Sequence, residues 1–331
     1  TLDPLGFRLQ LAHLLINEKD LPKTVNMLDG NEIKIRTISR GNLEILDIPY
    51  GRIKARKFVL TEDNPTPERS LTCICLVREN EVLMFDAGEG AQVAYLKAGL
   101  PWNKKMKIFV THLHGDHCLG ILGLLQTMSL QKRTEAVEIY GPSGIEEFIT
   151  ANIKVLNFGL PFPVFITIVN VGNVVKEKDY QINCCEAQHG IPAYSYCFKE
   201  NERAGVFYPE KAKELEIPEG KLWQELQNGN SIEINGKKID SSQVTGEKRP
   251  GKKIGISGDT RPTQKLKEFF KNSDYLSFDC TFSYELKNRA IETNHSTARE
   301  AAEIAKDANV KNLILTHFSA RYNDDSILVN E

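Results

Sequence analysis

The sequence lacks three features, each of which would by itself narrow the range of functions: a strong net charge, a paired cysteine pattern and a long apolar run. The formal net charge is only −2, so any basic surface for nucleic acid must be local. Seven cysteines are scattered, and the adjacent Cys184 and Cys185 do not fit an ordinary disulfide framework. We therefore predict a reducing, cytoplasmic environment. No apolar run reaches the roughly 18 residues that span a bilayer, so we expect no membrane partner.

The 331 residues are enough for one large globular domain or two. Residues 1–56 are predicted to be an N-terminal accessory segment of unknown role. Helical spacing of apolar residues favours a short helix over residues 5–16, and alternation over residues 31–38 and 43–48 favours a hairpin. The chain begins with Thr and stops soon after Tyr322, which leaves open whether further segments precede or follow it.

From residue 57 onward, apolar β-prone runs repeatedly lead through glycine-rich turns into helical patterns. This alternation is typical of an α/β fold built in layers. Residues 199–253 interrupt it, because they are polar and rich in Gly, Pro, Lys and Glu. We predict an insertion that projects from the core. A solvated surface excursion and a binding arm are both compatible with its composition.

The densest chemical pattern is a group of four polar side chains that follow the predicted strand 107–110. His112, His114, Asp116 and His117 fall within six residues, and Gly115 allows a tight turn among them. Imidazole and carboxylate groups are the ligands that suit zinc and similar divalent metals. The motif therefore predicts a metal site.

Three more donors follow later strands at the points where those strands end: His189, Asp259 and His317. Together with the motif they make seven donors, which is more than one tetrahedral metal accepts. Seven donors suit two metals that share a bridging carboxylate. Such a pair activates water at neutral pH and can clamp a phosphodiester during in-line displacement. The pattern therefore predicts hydrolysis, most naturally of a phosphodiester.

Two further groups have supporting roles in this prediction. His295 is surplus to the ligand set, so we predict that it is the general acid and that Asp279 orients it. The alternative is that His295 is only a polar residue at a helix N-terminus. Asp86 ends a strand beside glycines, where it would support a metal-bound histidine or merely form the turn.

Several segments taken together resemble the ribonuclease Z family of the metallo-β-lactamase superfamily. The resemblance covers residues 57–331. The motif Thr111-His-Leu-His-Gly-Asp-His117 alone marks the superfamily. The segments that narrow the resemblance are Phe85-Asp-Ala-Gly-Glu-Gly-Ala-Gln92, Ser257-Gly-Asp-Thr-Arg261, Asn294-His-Ser-Thr297 and Leu315-Thr-His-Phe-Ser-Ala-Arg-Tyr322.

This resemblance implies a four-layer αβ/βα sandwich, the metallo-β-lactamase fold, with residues 199–253 inserted as a flexible arm that grips tRNA. It implies two zinc ions, for which Mn²⁺ or Fe²⁺ are possible substitutes. The ligands of one metal would be His112, His114 and His189, and those of the other Asp116, His117 and His317, with Asp259 as the bridge. Asp116, Asp279 and His295 would be the catalytic residues. The family also implies a homodimer.

The implied activity is a metal-dependent endoribonuclease that removes the 3′ trailer from precursor tRNA and leaves a 3′-hydroxyl on the tRNA. Arg261 and Arg321 are candidate phosphate contacts, although structural salt bridges are an equal alternative for both. Ser296 and Thr297 are further substrate-binding candidates. Two other functions remain open: a hydrolase of a small substrate, such as a cyclic nucleotide or a thioester, and a non-catalytic RNA-binding relative.

The chain departs from the family pattern at two places near the expected site. Residues 60–64 replace a Gly-Thr-Gly turn with bulkier and charged residues. Asp279 stands where the family has Glu. Because Asp is one methylene shorter, we expect its contact with His295 to be looser.

Overall fold

The computed structural model describes residues 71–78, 80–202, 205–322 and Leu328, together with the backbone of five strands between residues 7 and 58. The strands are β1 Phe7–Gln10, β2 Thr24–Asn26, β3 Glu32–Arg36, β4 Glu44–Asp47, β5 Arg52–Phe58, β6 Cys73–Val77, β7 Glu81–Phe85, β8 Lys105–Phe109, β9 Val137–Gly141, β10 Val164–Ile168, β11 Gly172–Lys176, β12 Tyr180–Glu186, β13 Tyr194–Glu200, β14 Ile232–Ile234, β15 Lys237–Ile239, β16 Lys253–Ile256, β17 Tyr275–Asp279 and β18 Asn312–Thr316. The helices are α1 Ala91–Lys97, α2 Gly115–Cys118, α3 Gly120–Leu130, α4 Ile145–Val155, α5 Pro209–Glu214, α6 Lys221–Gln227, α7 Gln264–Phe269, α8 Lys287–Glu292 and α9 Ala298–Asp307. No helix among these described residues is long and apolar enough to cross a membrane.

The first sheet has the strand order β1-β5-β6-β7-β8-β9-β10, with β4 also paired to β5. Alternate residues of its central strands, such as Cys75, Met84 and Ile108, are buried in one apolar cluster with helices α1, α3 and α4. The helices therefore cover one face of this sheet. Strands β7, β8 and β9 run parallel, so their carboxyl ends lie at the same edge.

The second sheet has the strand order β11-β12-β13-β16-β17-β18-β3-β2. Its core packs against α7 and α9, whose buried residues include Leu266, Ala301 and Ala305. A capping box begins α9, because the side chains of Thr297 and Glu300 each bond to the other's backbone N–H.

The uncovered faces of the two sheets pack against each other. Tyr196 of β13 lies between the strands of the first sheet, with ring centroids 6.0 Å from Phe85 and 5.5 Å from Phe109. Its hydroxyl donates a hydrogen bond to the carbonyl of Val110 at 2.8 Å. The layer order is therefore helices, sheet, sheet, helices, and the predicted αβ/βα sandwich is confirmed.

The N-terminal hairpin prediction is wrong. β3 pairs in parallel with β18 in the second sheet, while β4 pairs with β5 in the first. Alternation of apolar residues identifies a strand but not its partner, which depends on burial elsewhere in the fold. The described strands before residue 57 thus join the two core sheets. Phe7–Gln10 is a strand, and the rest of the predicted helix, like residues 60–64, lies outside the described residues.

A second compact unit comprises residues Glu177–Gln181 and Lys199–Lys252. We call it the arm unit. It agrees with the predicted insertion to within one residue and adds the short segment 177–181. Its own apolar cluster contains Ala212, Ile217, Leu226, Ile232, Ile239 and Val244. The arm unit contains a hairpin, since β14 and β15 are antiparallel and Asn235 and Gly236 both have positive φ at the turn.

Candidate dinuclear metal site

The candidate site forms where parallel strands of both sheets end. Asp86 follows β7 and the histidine motif follows β8, while Asp259, Asp279 and His317 come at or just after the ends of β16, β17 and β18. Carboxyl ends of parallel strands meet at one edge, so side chains far apart in sequence converge there. Gly258 has φ +61° and would place a Cβ 2.9 Å from the Thr111 side chain, so only glycine lets the two sheet edges approach this closely.

One cluster of donors consists of three imidazole nitrogens and a carboxylate oxygen. Nε2 of His112 lies 3.0 Å from Nδ1 of His114, which lies 3.1 Å from Nε2 of His189. Oδ2 of Asp259 lies 3.6 Å from Nε2 of His112. All four ligand atoms lie within 4.8 Å of one another.

A second cluster shares its carboxylate with the first. Oδ2 of Asp259 is 3.2 Å from Nε2 of His117 and 3.3 Å from Nε2 of His317. Oδ2 of Asp116 is 3.2 Å and 3.1 Å from the same two nitrogens. One oxygen of Asp259 therefore faces both clusters, which is the position of a bridging ligand.

The donor set fits two divalent cations of the zinc type. Nε2 of His117 is buried and has no hydrogen-bond partner among the described residues, although a buried polar atom without a partner is costly. Burial lowers the pKa of His112 to about 2 and keeps that ring neutral, as a metal ligand must be. These two rings are arranged to coordinate an ion.

Asp86 and Thr111 set the proton positions of two of these rings. The Asp86 carboxylate accepts hydrogen bonds from the backbone N–H of Thr111 at 2.7 Å and from its hydroxyl at 2.9 Å. It also accepts the Nδ1–H of His117 at 2.8 Å. Because the Thr111 hydroxyl gives its hydrogen to Asp86, its oxygen accepts the Nδ1–H of His112 at 3.0 Å. Both rings therefore keep the lone pair of Nε2 for the clusters.

Asp279 and Thr281 repeat this arrangement on the second sheet. The Asp279 carboxylate accepts hydrogen bonds from the Thr281 backbone N–H at 3.0 Å and hydroxyl at 2.7 Å. The Thr281 oxygen is then left to accept the Nδ1–H of His317 at 2.9 Å. The other carboxylate oxygen of Asp279 lies 2.9 Å from Nδ1 of His295. This is an ordinary hydrogen-bond length, so the looser contact expected from the shorter Asp side chain is not observed.

His295 differs from the proposed ligands in its position, since it is absent from both clusters that contain Asp259. Its side chain is 13% exposed, against 1% for His117. Burial works to lower the pKa of His295, but the Asp279 carboxylate outweighs this and holds the pKa above its ordinary value. A partly exposed histidine that tends to stay protonated can give a proton to a bound substrate.

All four predicted substrate contacts have partners within the protein, and for Arg321 one partner is the Ser319 hydroxyl, which accepts from its Nε at 3.0 Å. Arg261 forms a salt bridge with Glu300, at 2.9 Å between Nη1 and Oε2. A structural salt bridge was the alternative to phosphate binding that the sequence left open. Ser296 and Thr297 are fully buried. The Ser296 hydroxyl donates to the carbonyl of Thr260, and Thr297 caps α9, so both side chains already have hydrogen-bond partners within the protein. Arg321 is exposed and lies over the Phe282 ring, 5.1 Å from its centroid.

Sequence reasoning missed Thr111, Thr281 and Glu300. Each threonine lies within two residues of a predicted site residue at a strand end. A hydroxyl beside such a histidine or aspartate was the available signal, because metal-bound imidazoles need a partner for their second nitrogen. Glu300 had no comparable signal as a site residue, since its capping role already accounted for it.

Comparison with known proteins places this site in a family. The family profile described as the metallo-beta-lactamase superfamily matches residues 67–268. The chain is 64% identical over 261 residues to a protein named ribonuclease Z from Nitrosopumilus maritimus, covering 79% of this chain and 87% of the relative. It is 41% identical over 262 residues to ribonuclease Z from Methanosarcina mazei, covering 79% and 86%.

A solved structure agrees with these relatives. The crystal structure of human tRNase Z, short form, is similar with a TM-score of 0.59 and 25% sequence identity, covering 80% of this chain and 92% of the human chain. Both the fold and the sequence therefore lead to the same assignment. The chain belongs to the ribonuclease Z family of the metallo-β-lactamase superfamily.

Proposed function

We propose that this chain is a metal-dependent endoribonuclease that removes the 3′ trailer of precursor tRNA and leaves a 3′-hydroxyl on the tRNA. The observation that carries the proposal is the position of the His295–Asp279 pair beside the two clusters that share Asp259. His295 Nδ1 is 4.0 Å from the shared oxygen of Asp259. A phosphodiester held at the clusters would thus have a proton donor within reach. The name shared by the relatives supports this substrate.

We propose that two zinc ions are the resident metals. The ligands would be His112, His114 and His189 for one ion and Asp116, His117 and His317 for the other, with Asp259 shared. Bound divalent ions would neutralise the phosphate charge and lower the pKa of water to near neutrality. Nitrogen-rich donor sets of this kind favour zinc over magnesium or calcium.

The residues of the chain supply the remaining steps. Water adds to the phosphorus, the bond from phosphorus to the tRNA O3′ breaks, and the phosphate stays with the trailer. His295 gives the proton of its Nε2 to the departing O3′, while Asp279 holds the Nδ1–H and stabilises the charged ring. Asp116 faces the same space and would orient the attacking water and accept the proton that the water releases. Arg321 is the remaining candidate for a phosphate contact, because its side chain is exposed.

The arm unit is the proposed contact with the body of the tRNA. Residues 199–252 contain ten basic and ten acidic side chains, so overall charge does not explain RNA binding. Local features do support it. Tyr208 is 37% exposed, and Nζ of Lys211 lies 4.8 Å above its ring. An exposed aromatic ring beside a lysine can stack on a base and contact a phosphate.

A homodimer and a cytoplasmic location are part of the proposal. Exposed apolar side chains at the end of α4 (Val155, Leu156) and on β10 (Phe165) support an interface between copies. All seven cysteines are free and buried, which supports a reducing compartment. Light scattering on the purified chain and fractionation of source cells would test the two statements separately.

The direct test is cleavage of a trailer-bearing precursor tRNA by the purified, zinc- or manganese-loaded chain. The proposal predicts one cut near the discriminator base, with a 3′-hydroxyl on the tRNA product. A matched control is Arg289→Ala, which removes an exposed arginine paired only at the surface with Glu292. Folded, metal-loaded protein that leaves the precursor intact would overturn the proposal. Absence of bound metal would instead favour a non-catalytic RNA-binding relative.

The second candidate function is hydrolysis of a small substrate. Removal of the arm unit distinguishes it from cleavage of precursor tRNA. The backbone N–H of Glu200 donates to the carbonyl of Lys252 at 2.9 Å, so residues 201–251 can be replaced by a short glycine linker. The tRNA proposal predicts that this variant retains its metals and still hydrolyses bis(p-nitrophenyl) phosphate but loses affinity for precursor tRNA. A small-substrate enzyme would retain its full activity on the natural substrate.

A further inference from the structure

The segment that carries His295 is fixed to the rest of the protein at three successive residues. Nη1 of Arg261 donates a hydrogen bond to the carbonyl of His295. The Ser296 hydroxyl donates to the carbonyl of Thr260 at 2.5 Å. The backbone N–H of Thr297 donates to Oε2 of Glu300 at 3.1 Å. The backbone of His295, the proposed proton donor, and of the two residues that follow it is thus held by hydrogen bonds.

Arg261 and Glu300 form the centre of this arrangement. Both terminal nitrogens of the guanidinium donate to the Glu300 carboxylate, which is the bidentate geometry of a strong ion pair. The two side chains are only 11% and 6% exposed. A guanidinium whose charge is matched in this way is poorly suited to bind phosphate. Its remaining visible function is the hydrogen bond to the His295 carbonyl.

The ring of His295 needs this support because its other attachments leave freedom of movement. Asp279 holds one ring nitrogen, which fixes a distance but not the location of the whole ring. The neighbouring rings of His317 and His189 lie 5.1 Å and 5.0 Å away. They limit the tilt of the ring without bonding to it. The backbone N–H of His295 donates to the carbonyl of Ala290 at 2.8 Å, and the contact from Arg261 fixes the His295 carbonyl on the other side of the same residue.

We propose that the Arg261–Glu300 pair positions His295 for proton transfer to the leaving oxygen, and that Arg261 does not bind the substrate phosphate. The inference rests on the proposed function, since it assigns His295 the role of proton donor. Arg261 and Glu300 are positioning residues, and they act only through His295.

The test measures kcat and KM of precursor tRNA cleavage for the metal-loaded wild type, Arg261→Ala, His295→Ala and the double variant. Arg261→Ala should lower kcat on the order of 10²-fold with KM unchanged, because small misplacement of a catalytic group costs about that much. In the His295→Ala background the same substitution should have no further effect. Added guanidinium ion should partly restore Arg261→Ala and not His295→Ala.

A second readout separates positioning from a general structural defect. With a substrate in which sulfur replaces the scissile O3′, the leaving group needs no proton, so the Arg261→Ala defect should disappear. Metal content and thermal unfolding are measured alongside. If Arg261→Ala does not fold, Glu300→Gln is the variant that tests the inference. It keeps a hydrogen-bond acceptor for Thr297 and weakens the bond to Arg261. It should lower kcat in the same sense, again only when His295 is present.

Each contrary result has a distinct meaning. A rise in KM with unchanged kcat would make Arg261 a phosphate contact and overturn the inference while leaving the function intact. A loss of kcat that multiplies with that of His295→Ala, or that persists on the sulfur substrate, would also overturn it. An inactive wild type would instead refute the proposed function. Arg289→Ala is the matched control and should behave as wild type in every measurement.

Discussion

The two sheets each contribute an aspartate and a threonine to the site, in the same arrangement but with different partners. On the first sheet, Asp86 and Thr111 hold His117 and His112, and both rings point into the metal clusters. On the second, Asp279 and Thr281 hold His295 and His317, and only His317 belongs to a proposed ligand set. In the proposed mechanism the same local device serves metal binding on one side, and both metal binding and proton donation on the other.

The surroundings of Nε2 account for this difference. The side chain of His117 is 1% exposed and has acidic oxygens of Asp116 and Asp259 beside its Nε2. His295 is 13% exposed and is absent from the two clusters that contain Asp259. An imidazole held by a carboxylate becomes a better ligand when a cation is opposite it and a better acid when a substrate is opposite it. What lies opposite Nε2 thus decides the role.

The largest expected effect comes from removing the one residue common to both clusters. Asp259→Asn should reduce precursor cleavage by more than about 10³-fold, because bound metals supply several kcal/mol of transition-state stabilisation. Metal content measured by mass spectrometry should fall from about two ions per chain. Near-normal cleavage by a variant that has lost its metals would contradict the shared role of Asp259.

The next effect distinguishes the two aspartates directly. Asp279→Asn should lower kcat on the order of 10²-fold, since the amide no longer stabilises the charged His295 ring. Asp86→Asn should instead weaken metal affinity about 10- to 100-fold, because His117 loses the partner of its Nδ1–H.

A zinc titration of the two asparagine variants measures the contrast. Excess zinc should restore Asp86→Asn to nearly full activity and should not restore Asp279→Asn. If both variants respond to zinc in the same way, the two aspartates do not have separate roles.

Replacing the threonines tests the same comparison with a smaller change. Thr111→Val leaves the Nδ1–H of His112 without an acceptor, so metal affinity should fall about tenfold. Thr281→Val should weaken metal binding through His317 and also lower kcat at saturating zinc, because Asp279 loses a donor. Equal kcat values at saturating zinc would show that Thr281 does not affect the proton donor.

The smallest expected effect lies in the arm unit. Tyr208→Ala should raise KM for precursor tRNA by an amount corresponding to about 1 to 3 kcal/mol, the value of base stacking on an aromatic side chain. Hydrolysis of bis(p-nitrophenyl) phosphate should not change. A variant that binds precursor tRNA as tightly as wild type would remove Tyr208 from the RNA contact.

Much of the site was predictable because its donors are local in sequence or follow recognisable strand ends. His112, His114, Asp116 and His117 are neighbours, and His189, Asp259 and His317 come at or near the ends of strands. The Arg261–Glu300 pair was not predictable, because its members are 39 positions apart and each has an ordinary explanation alone. The proton positions set by Thr111 and Thr281 depend on hydroxyl directions that no spacing encodes.

Some features of the fold were likewise predictable from the sequence, and others were not. Periodicity predicted the alternation of strands and helices from residue 57 onward, because burial of one face leaves a regular pattern. It paired β3 and β4 wrongly, because they join different sheets through partners that are distant in sequence.

The central claim is that His295, held by Asp279, gives a proton to the leaving O3′. The most direct measurement compares wild type and His295→Ala on a normal precursor and on one with sulfur in place of the scissile O3′. On the normal precursor His295→Ala should be slower by about 10²- to 10⁴-fold, the usual contribution of a general acid. On the sulfur precursor, whose leaving group needs no proton, the two enzymes should cleave at similar rates. An equally large defect on both precursors would contradict the claim.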